Sequence, residues 1–171
     1  MEKNHSNPEG QSAAAETASL AFFDRIYVIN LNRRPDRWRG ICTQLERFGV
    51  QHRVTRIQGG DDLPGALGCF DSHLNCLKRA QDDDAKTPLI LEDDALFMPG
   101  WPSRIDSDIV ELPMSWDLLY LGYSLDPGSE EAAATRFFSP RLLQFPKGCY
   151  TTMPTPSAAS ALKASEPTWS C

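Results

Sequence analysis

Apolar segments alternate with amphipathic segments along the first half of the chain, and this alternation is the strongest constraint on its fold. Residues 23–31 and 50–57 have the composition of strands, and 89–91 is a short apolar run typical of a buried strand. Two stretches with apolar residues at helical spacing lie between them, one opened by Pro35 and one covering 66–81. Strand, helix, strand, helix and strand in succession predict an α/β sheet with crossover connections.

Both predicted helices carry an apolar face. In the first, Gly49 is well placed to end the helix, and the residues at helical spacing are Trp38, Ile41, Cys42, Leu45 and Phe48. In the second, we expect the inward-facing residues to be Leu67, Phe70, Leu74 and Leu77. Each helix can therefore cover one face of the sheet.

The third apolar run ends in three adjacent carboxylates, Glu92, Asp93 and Asp94. Because side chains alternate along a strand, we expect Glu92 and Asp94 to share one face while Asp93 points away. Buried like charges are unfavourable unless a positive partner neutralises them. A hard divalent cation, Mn²⁺ or Mg²⁺, suits such oxygen ligands and commonly brings phosphate oxygens of a substrate. The alternative interpretation is a solvated turn with surplus acids.

A basic loop, residues 30–37, connects the first strand to the first helix. The free N–H groups of a helix start favour an anion, and Arg34 and Arg37 add charge that suits phosphate or carboxylate. Alternatively, these arginines are solvated or pair with Asp36 and Glu46. Ligands of α/β sheets collect beyond the C-terminal ends of the strands, where both this loop and the three carboxylates fall.

The charge balance restricts the kind of partner. The net charge of −6 over 171 residues argues against a nucleic-acid binder, since such binding depends on neutralising phosphates. Arg33, Arg34, Arg37 and Arg39 nevertheless lie within seven positions, which suits one small anionic ligand. The five cysteines are odd in number and lack a Cys-x-x-Cys pair, so we expect mostly buried, reduced thiols.

The composition of the ends predicts one domain, 22–152, between two disordered tails. Residues 1–21 are polar and carry no secretory signal, and 153–171 are rich in Pro, Thr, Ser and Ala. Before the second tail, 141–145 and 149–152 are candidate strands of a hairpin. No run approaches the ~18 apolar residues of a membrane span. The sequence as it stands predicts a cytoplasmic protein, and a chain cut short or frame-shifted near Met153 is a hypothesis.

Three motifs in order carry a family resemblance. They are Ile-Tyr-Val-Ile-Asn-Leu-Asn-Arg-Arg-Pro-Asp-Arg from Ile26, Gly-Ala-Leu-Gly-Cys-Phe-Asp-Ser-His-Leu from Gly65, and Leu-Ile-Leu-Glu-Asp-Asp-Ala from Leu89. Together they resemble glycosyltransferase family 25, which comprises galactosyltransferases of lipopolysaccharide biosynthesis and their procollagen galactosyltransferase relatives. The resemblance covers about residues 23–152 and fails afterwards.

The resemblance implies an enzyme of the A-type glycosyltransferase architecture, a Rossmann-like nucleotide-sugar-binding domain whose C-terminal part is incomplete here. It implies metal-dependent transfer of a hexose, galactose above all, from a UDP-sugar to a saccharide or to hydroxylysine of a glycoprotein acceptor. The family's Glu-Asp-Asp stands where related enzymes carry Asp-x-Asp, so Glu92 and Asp94 are the predicted metal ligands. The predicted nucleotide-sugar-binding residues are Asn30, Leu31, Arg34, Arg37, His73 and Asp93. A general base cannot be assigned.

Three alternatives stay open. The chain can be a truncated, non-catalytic relative that binds the donor. A metal-dependent phosphohydrolase is disfavoured because no second ligand cluster with His is visible for a two-metal site. If members of the family work in the secretory pathway or at a membrane surface, the expected location of this protein changes from the cytoplasm to that compartment.

Overall fold

The structure is a computed structural model that describes residues 20–60, 65–122, 136–144, 149–152 and 159–162. Within them lie three α-helices: α1 (Pro35–Arg47), α2 (Gly65–Asp82) and α3 (Trp101–Val110). The strands are β1 (Arg25–Asn30), β2 (Val54–Gln58), β3 (Pro88–Glu92), β4 (Leu118–Tyr120), β5 (Arg136–Phe137), β6 (Leu142–Gln144), β7 (Cys149–Thr152) and β8 (Ala159–Leu162). Single turns of 3₁₀ helix occupy Leu20–Phe22 and Gln51–Arg53.

One sheet joins these strands in the order β2-β1-β3-β8-β4-β7-β6-β5. β1 pairs in parallel with both β2 and β3, β4 pairs in parallel with β7, and β8 runs antiparallel between β3 and β4. The α/β class is therefore confirmed. All of β1 after Arg25 is buried, as expected of a central strand in a sheet covered by helices. No helix among the described residues is long and apolar enough to cross a membrane.

Helix α1 forms as the sequence predicts. Pro35 occupies its first turn, where the fixed φ of proline suits the helix and its missing N–H costs nothing. Ile41 and Leu45 are fully or almost fully buried against the sheet. The chain leaves the helix through Gly49, which adopts a φ of 68° that favours glycine.

The inward face of α2 agrees with the expectation at Leu77, which packs against the buried cluster, and differs from it at Leu67 and Phe70. Leu67 and Phe70 are 60% and 68% exposed, and the buried positions are Gly68, Ser72, Cys76 and Ala80. Cys76 and Ala80 pack in one cluster with side chains of β1 and β3. These small residues lie four positions apart on the face that packs against the sheet, so the helix backbone can lie close to the sheet. Leu67 and Phe70 lie on the exposed side of the helix.

Described residues lie at both ends of the predicted domain 22–152, whose bounds stay a prediction. Leu20 is fully buried, and Arg53 donates hydrogen bonds to the carbonyl oxygens of Leu20 (3.1 Å) and Phe23 (2.6 Å). The β6–β7 hairpin is confirmed. Strand β8 lies in a segment for which the sequence predicted no element, because its pairing with β3 and β4 is non-local. The rest of both predicted tails lies outside the described residues.

Candidate functional site

A pocket of about 240 Å³ opens at the carboxyl ends of β1 and β3, beside the N-terminal half of α2. Parallel pairing brings these strand ends to the same edge of the sheet. The lining residues come from the β1 end and following loop, from the region around α2, and from the β3 end: Ile29, Leu31, Arg33, Arg37, Gly60, Gly65, Gly68, Cys69, Ser72, His73, Glu92 and Asp93. The basic loop and the acidic cluster therefore meet at one site.

Asn30 joins the ends of β1 and β3. It is 1% exposed, and its side-chain amide donates to Asp93 Oδ2 (2.6 Å) and to the carbonyl oxygen of Arg34 (3.0 Å). Its carbonyl oxygen Oδ1 accepts a hydrogen bond from Arg56, whose guanidinium also lies 5.2 Å from the ring centroid of Trp38. The predicted residues Asn30 and Asp93 thus contact each other, and both the nitrogen and the oxygen of the Asn30 side-chain amide are hydrogen-bonded.

The placement of the three carboxylates follows strand alternation at Glu92 and Asp93 and departs from it at Asp94. β3 ends at Glu92, and the N–H of Ala95 donates to the Glu92 carbonyl oxygen (3.1 Å), which closes a turn over Asp93 and Asp94. Glu92 faces His73 of α2, whereas Asp93 contacts Arg37 of α1 on the other side of the sheet, so Asp93 points away from Glu92 as expected. Asp94 also contacts Arg37, so the expectation that it shares a face with Glu92 is wrong, because the alternation stops with the strand.

Arg37 supplies a positive partner for two of these acids. Its Nη1 lies 3.2 Å from Asp93 Oδ1 and 2.9 Å from Asp94 Oδ2. The side chain of Asp93 is 8% exposed, whereas those of Arg37 and Asp94 are 37% and 49% exposed. The positive charge that the acidic cluster requires therefore comes, for Asp93 and Asp94, from a residue of the chain itself.

Arg34, the other predicted arginine, pairs with Asp36 instead. Two hydrogen bonds join them, Nε to Oδ1 (3.0 Å) and Nη2 to Oδ2 (2.7 Å), and this contact lowers the pKa of Asp36 to about 2. Arg34 is not among the described residues that line the pocket, whereas Arg33 is. Arg34 therefore follows the alternative interpretation, in which it pairs with Asp36 and does not bind an anion at the pocket.

The third predicted group, His73, faces Glu92 together with a cysteine that the sequence reasoning missed. His73 Nε2 and Cys69 Sγ each lie 3.8 Å from Glu92 Oε1. Burial raises the pKa of the Cys69 thiol, and the neighbouring Glu92 raises it further. The spacing of four residues between Cys69 and His73 on a predicted helix was the available signal, since it places both on one face.

The three carboxylates do not fit a single divalent cation as they are arranged. Within the described ranges, the one group of three His, Cys or acidic residues whose ligand atoms all lie within 4.8 Å is Cys69, His73 and Glu92. Asp93 and Asp94 are held by Arg37. Carboxylate oxygens are still ligands that Mn²⁺ and Mg²⁺ prefer. Metal binding by Glu92 and Asp94 therefore stays a prediction.

Comparisons with known proteins find similarity to glycosyltransferase 25 family members and procollagen galactosyltransferases. No family model matches the chain. Probable inactive glycosyltransferase 25 family member 3 of Bos taurus is 29% identical over 139 residues, covering 64% of this chain and 23% of the relative. Inactive glycosyltransferase 25 family member 3 of Homo sapiens is 29% identical over 140 residues (64% and 24%), and procollagen galactosyltransferase 2 of Mus musculus is 26% identical over 129 residues (58% and 21%). The chain spans less than a quarter of the length of these relatives.

Proposed function

Because this chain is a relative of the glycosyltransferase 25 family, we propose that its pocket binds the nucleotide-sugar donor of a hexosyl transfer. The donor is a UDP-hexose, UDP-galactose above all, and the acceptor is a saccharide or a hydroxylysine-bearing glycoprotein. The parallel β2-β1-β3 unit with its helices supports an A-type glycosyltransferase architecture. Dependence on Mn²⁺ or Mg²⁺ stays a prediction.

The observation that carries the proposal is the presence of two arginines at the pocket wall. Arg37 lines the pocket in the first turn of α1, where it is paired with Asp93 and Asp94. Arg33 lines the same pocket from the preceding loop. A diphosphate leaving group gains negative charge as the glycosidic bond stretches, and the guanidinium of Arg33, beside the start of α1, stabilises that charge.

The size of the pocket indicates which part of the donor it holds. About 240 Å³ is below the roughly 300–1,000 Å³ of pockets that enclose whole drug-sized ligands. The space described here therefore suits the diphosphate and sugar better than the complete nucleotide sugar. Asp93 offers an acceptor of hydrogen bonds from sugar hydroxyls at its wall.

A non-catalytic relative that binds the donor is the second candidate. It is favoured by the contact of Arg37 with both Asp93 and Asp94, which occupies two of the three predicted acidic groups. Two of the similar proteins also carry the word inactive in their names. Donor binding is common to both candidates, and only product formation separates them.

The experiment compares UDP with uridine by calorimetry, in the wild-type chain and in two single variants. Arg33→Ala should weaken UDP binding by about tenfold and leave uridine binding unchanged, since only UDP offers an anion to pair. Arg34→Ala is the matched control, because Arg34 pairs with Asp36, and we expect a change below about twofold.

Equal losses for UDP and uridine, or a larger effect at Arg34, would contradict the proposed diphosphate site. Repeating the titration with Mn²⁺ tests the metal prediction. Incubation with UDP-galactose and acceptor, followed by mass spectrometry, separates transfer from binding alone. Phosphate release without acceptor would instead indicate a phosphohydrolase.

A further inference from the structure

The cluster of Cys69, His73 and Glu92 has no role in the donor site as proposed. We propose that these three residues bind a zinc ion, with the fourth coordination position open to the pocket. Cys69 and His73 lie one turn apart on α2, and Glu92 is the last residue of β3. Two rigid elements therefore hold the three side chains at one wall of the pocket.

The separations of the ligand atoms agree with a tetrahedral zinc site. Zinc–sulfur distances of about 2.3 Å and zinc–nitrogen or zinc–oxygen distances of about 2.0–2.2 Å place neighbouring ligand atoms about 3.3–3.6 Å apart. Here Cys69 Sγ and His73 Nε2 each lie 3.8 Å from Glu92 Oε1, Cys69 Sγ lies 3.7 Å from His73 Nδ1, and one ligand atom from each residue lies within 4.8 Å of the others. Side-chain rotations of up to about 1 Å close the remaining gap.

The imidazole is already oriented for metal binding. His73 Nδ1 lies 3.0 Å from the carbonyl oxygen of Cys69, to which it can donate its proton. This bond leaves the lone pair of Nε2 directed toward Glu92. A zinc-ligating histidine usually donates its second ring nitrogen to a carbonyl or carboxylate in this way.

Hydrogen bonds join Cys69 to Glu92 (3.8 Å) and His73 to Cys69, but none joins His73 to Glu92. The 3.8 Å between His73 Nε2 and Glu92 Oε1 is too long for an N–H···O bond. A thiolate, an imidazole and a carboxylate form a donor set that zinc prefers, whereas Mn²⁺ and Mg²⁺ favour oxygen alone. Three protein ligands leave one position for water or for an oxygen of a pocket ligand.

The test titrates the full chain with Zn²⁺, and with Co²⁺ as a spectroscopic substitute, in the absence of any nucleotide. We expect one equivalent to bind, and the cobalt form should show a sulfur-to-metal charge-transfer band in the near ultraviolet. Cys69→Ser should abolish this band, and Cys69→Ser and His73→Gln should each weaken zinc binding by about tenfold or more. Cys42→Ser is the matched control, since Cys42 is a free thiol on α1 outside the cluster.

Retention of the band in Cys69→Ser, its loss in Cys42→Ser, or unchanged zinc affinity in His73→Gln would overturn the proposal, as would absence of zinc binding in the wild-type chain. Circular dichroism of each variant checks folding, and we expect little effect because Cys69 is exposed and His73 half-buried. Because UDP is absent, failure here leaves the donor-binding result unaffected.

Discussion

Replacing Arg37 by Ala removes one guanidinium that contacts two carboxylates. Asp93 is nearly buried and keeps the amide of Asn30 as a partner, while Asp94 is half exposed and can be solvated. The loss therefore falls mainly on Asp93, which becomes a buried anion without its cationic neighbour.

The magnitude follows from the exposure of each partner. Ion pairs between exposed groups contribute about 0.2–1 kcal/mol, and breaking a fully buried pair costs about 3–5 kcal/mol. The Arg37–Asp93 pair, with side chains 37% and 8% exposed, lies between these limits, and we assign it about 1–2 kcal/mol after discounting for solvent screening. The exposed Arg37–Asp94 pair adds about 0.5 kcal/mol. The free energy of unfolding should fall by about 2 kcal/mol.

Urea denaturation at neutral pH measures this difference, and the melting temperature should fall by about 4–8 °C for a chain of this size. Arg39→Ala, an exposed arginine on the same helix, is the control and should change stability by less than about 0.5 kcal/mol. The double variant Arg37→Ala/Asp93→Asn should show a coupling of about 1 kcal/mol. Equal effects of the two single arginine variants, or additivity in the double variant, would refute the reasoning.

Two further predictions concern the α2 face and the response to acid. Cys76→Leu should destabilise the protein by about 1–3 kcal/mol, because Cys76 is fully buried and a larger side chain overpacks its site. Phe70→Ser should change the stability by less than about 0.5 kcal/mol, because Phe70 is exposed. If thermal denaturation gave the reverse order, the assignment of Cys76 to the buried face of α2 would be wrong. The pKa of Asp36, about 2 in the fold and about 3.9 when unfolded, is depressed by Arg34, so its contribution is present above pH 4 and is lost between about pH 4 and 2. Asp36→Asn should flatten the acid limb of the stability curve over that interval, and an unchanged slope in acid titration would argue against the pair.

Local signals in the sequence were sufficient for the elements that form the pocket edge. Pro35 and Gly49 bracket α1, and the apolar run before Glu92 predicted β3, because both depend on neighbouring residues. Parallel strands then placed the basic loop beside the acidic cluster, as the general rule for α/β sheets predicts.

Features that depend on distant residues could not be predicted in this way. The spacing of apolar residues predicted that Leu67 and Phe70 face the sheet. In the structure α2 lies close to β1 and β3, and the small side chains of Cys76 and Ala80 fill the contact. Contact of Arg37 with Asp94 depends on the turn after Glu92, where strand alternation ends.

The position of β8 has a consequence for the order of events during synthesis. β3 and β4 are both made well before residues 159–162, yet these residues lie between them in the sheet. Until that segment leaves the ribosome, the facing edges of both strands expose unpaired N–H and C=O groups to other chains. Non-local pairing of this kind is slow. Mispairing of these edges with other strands is therefore most favoured in the interval between synthesis of β4 and synthesis of β8.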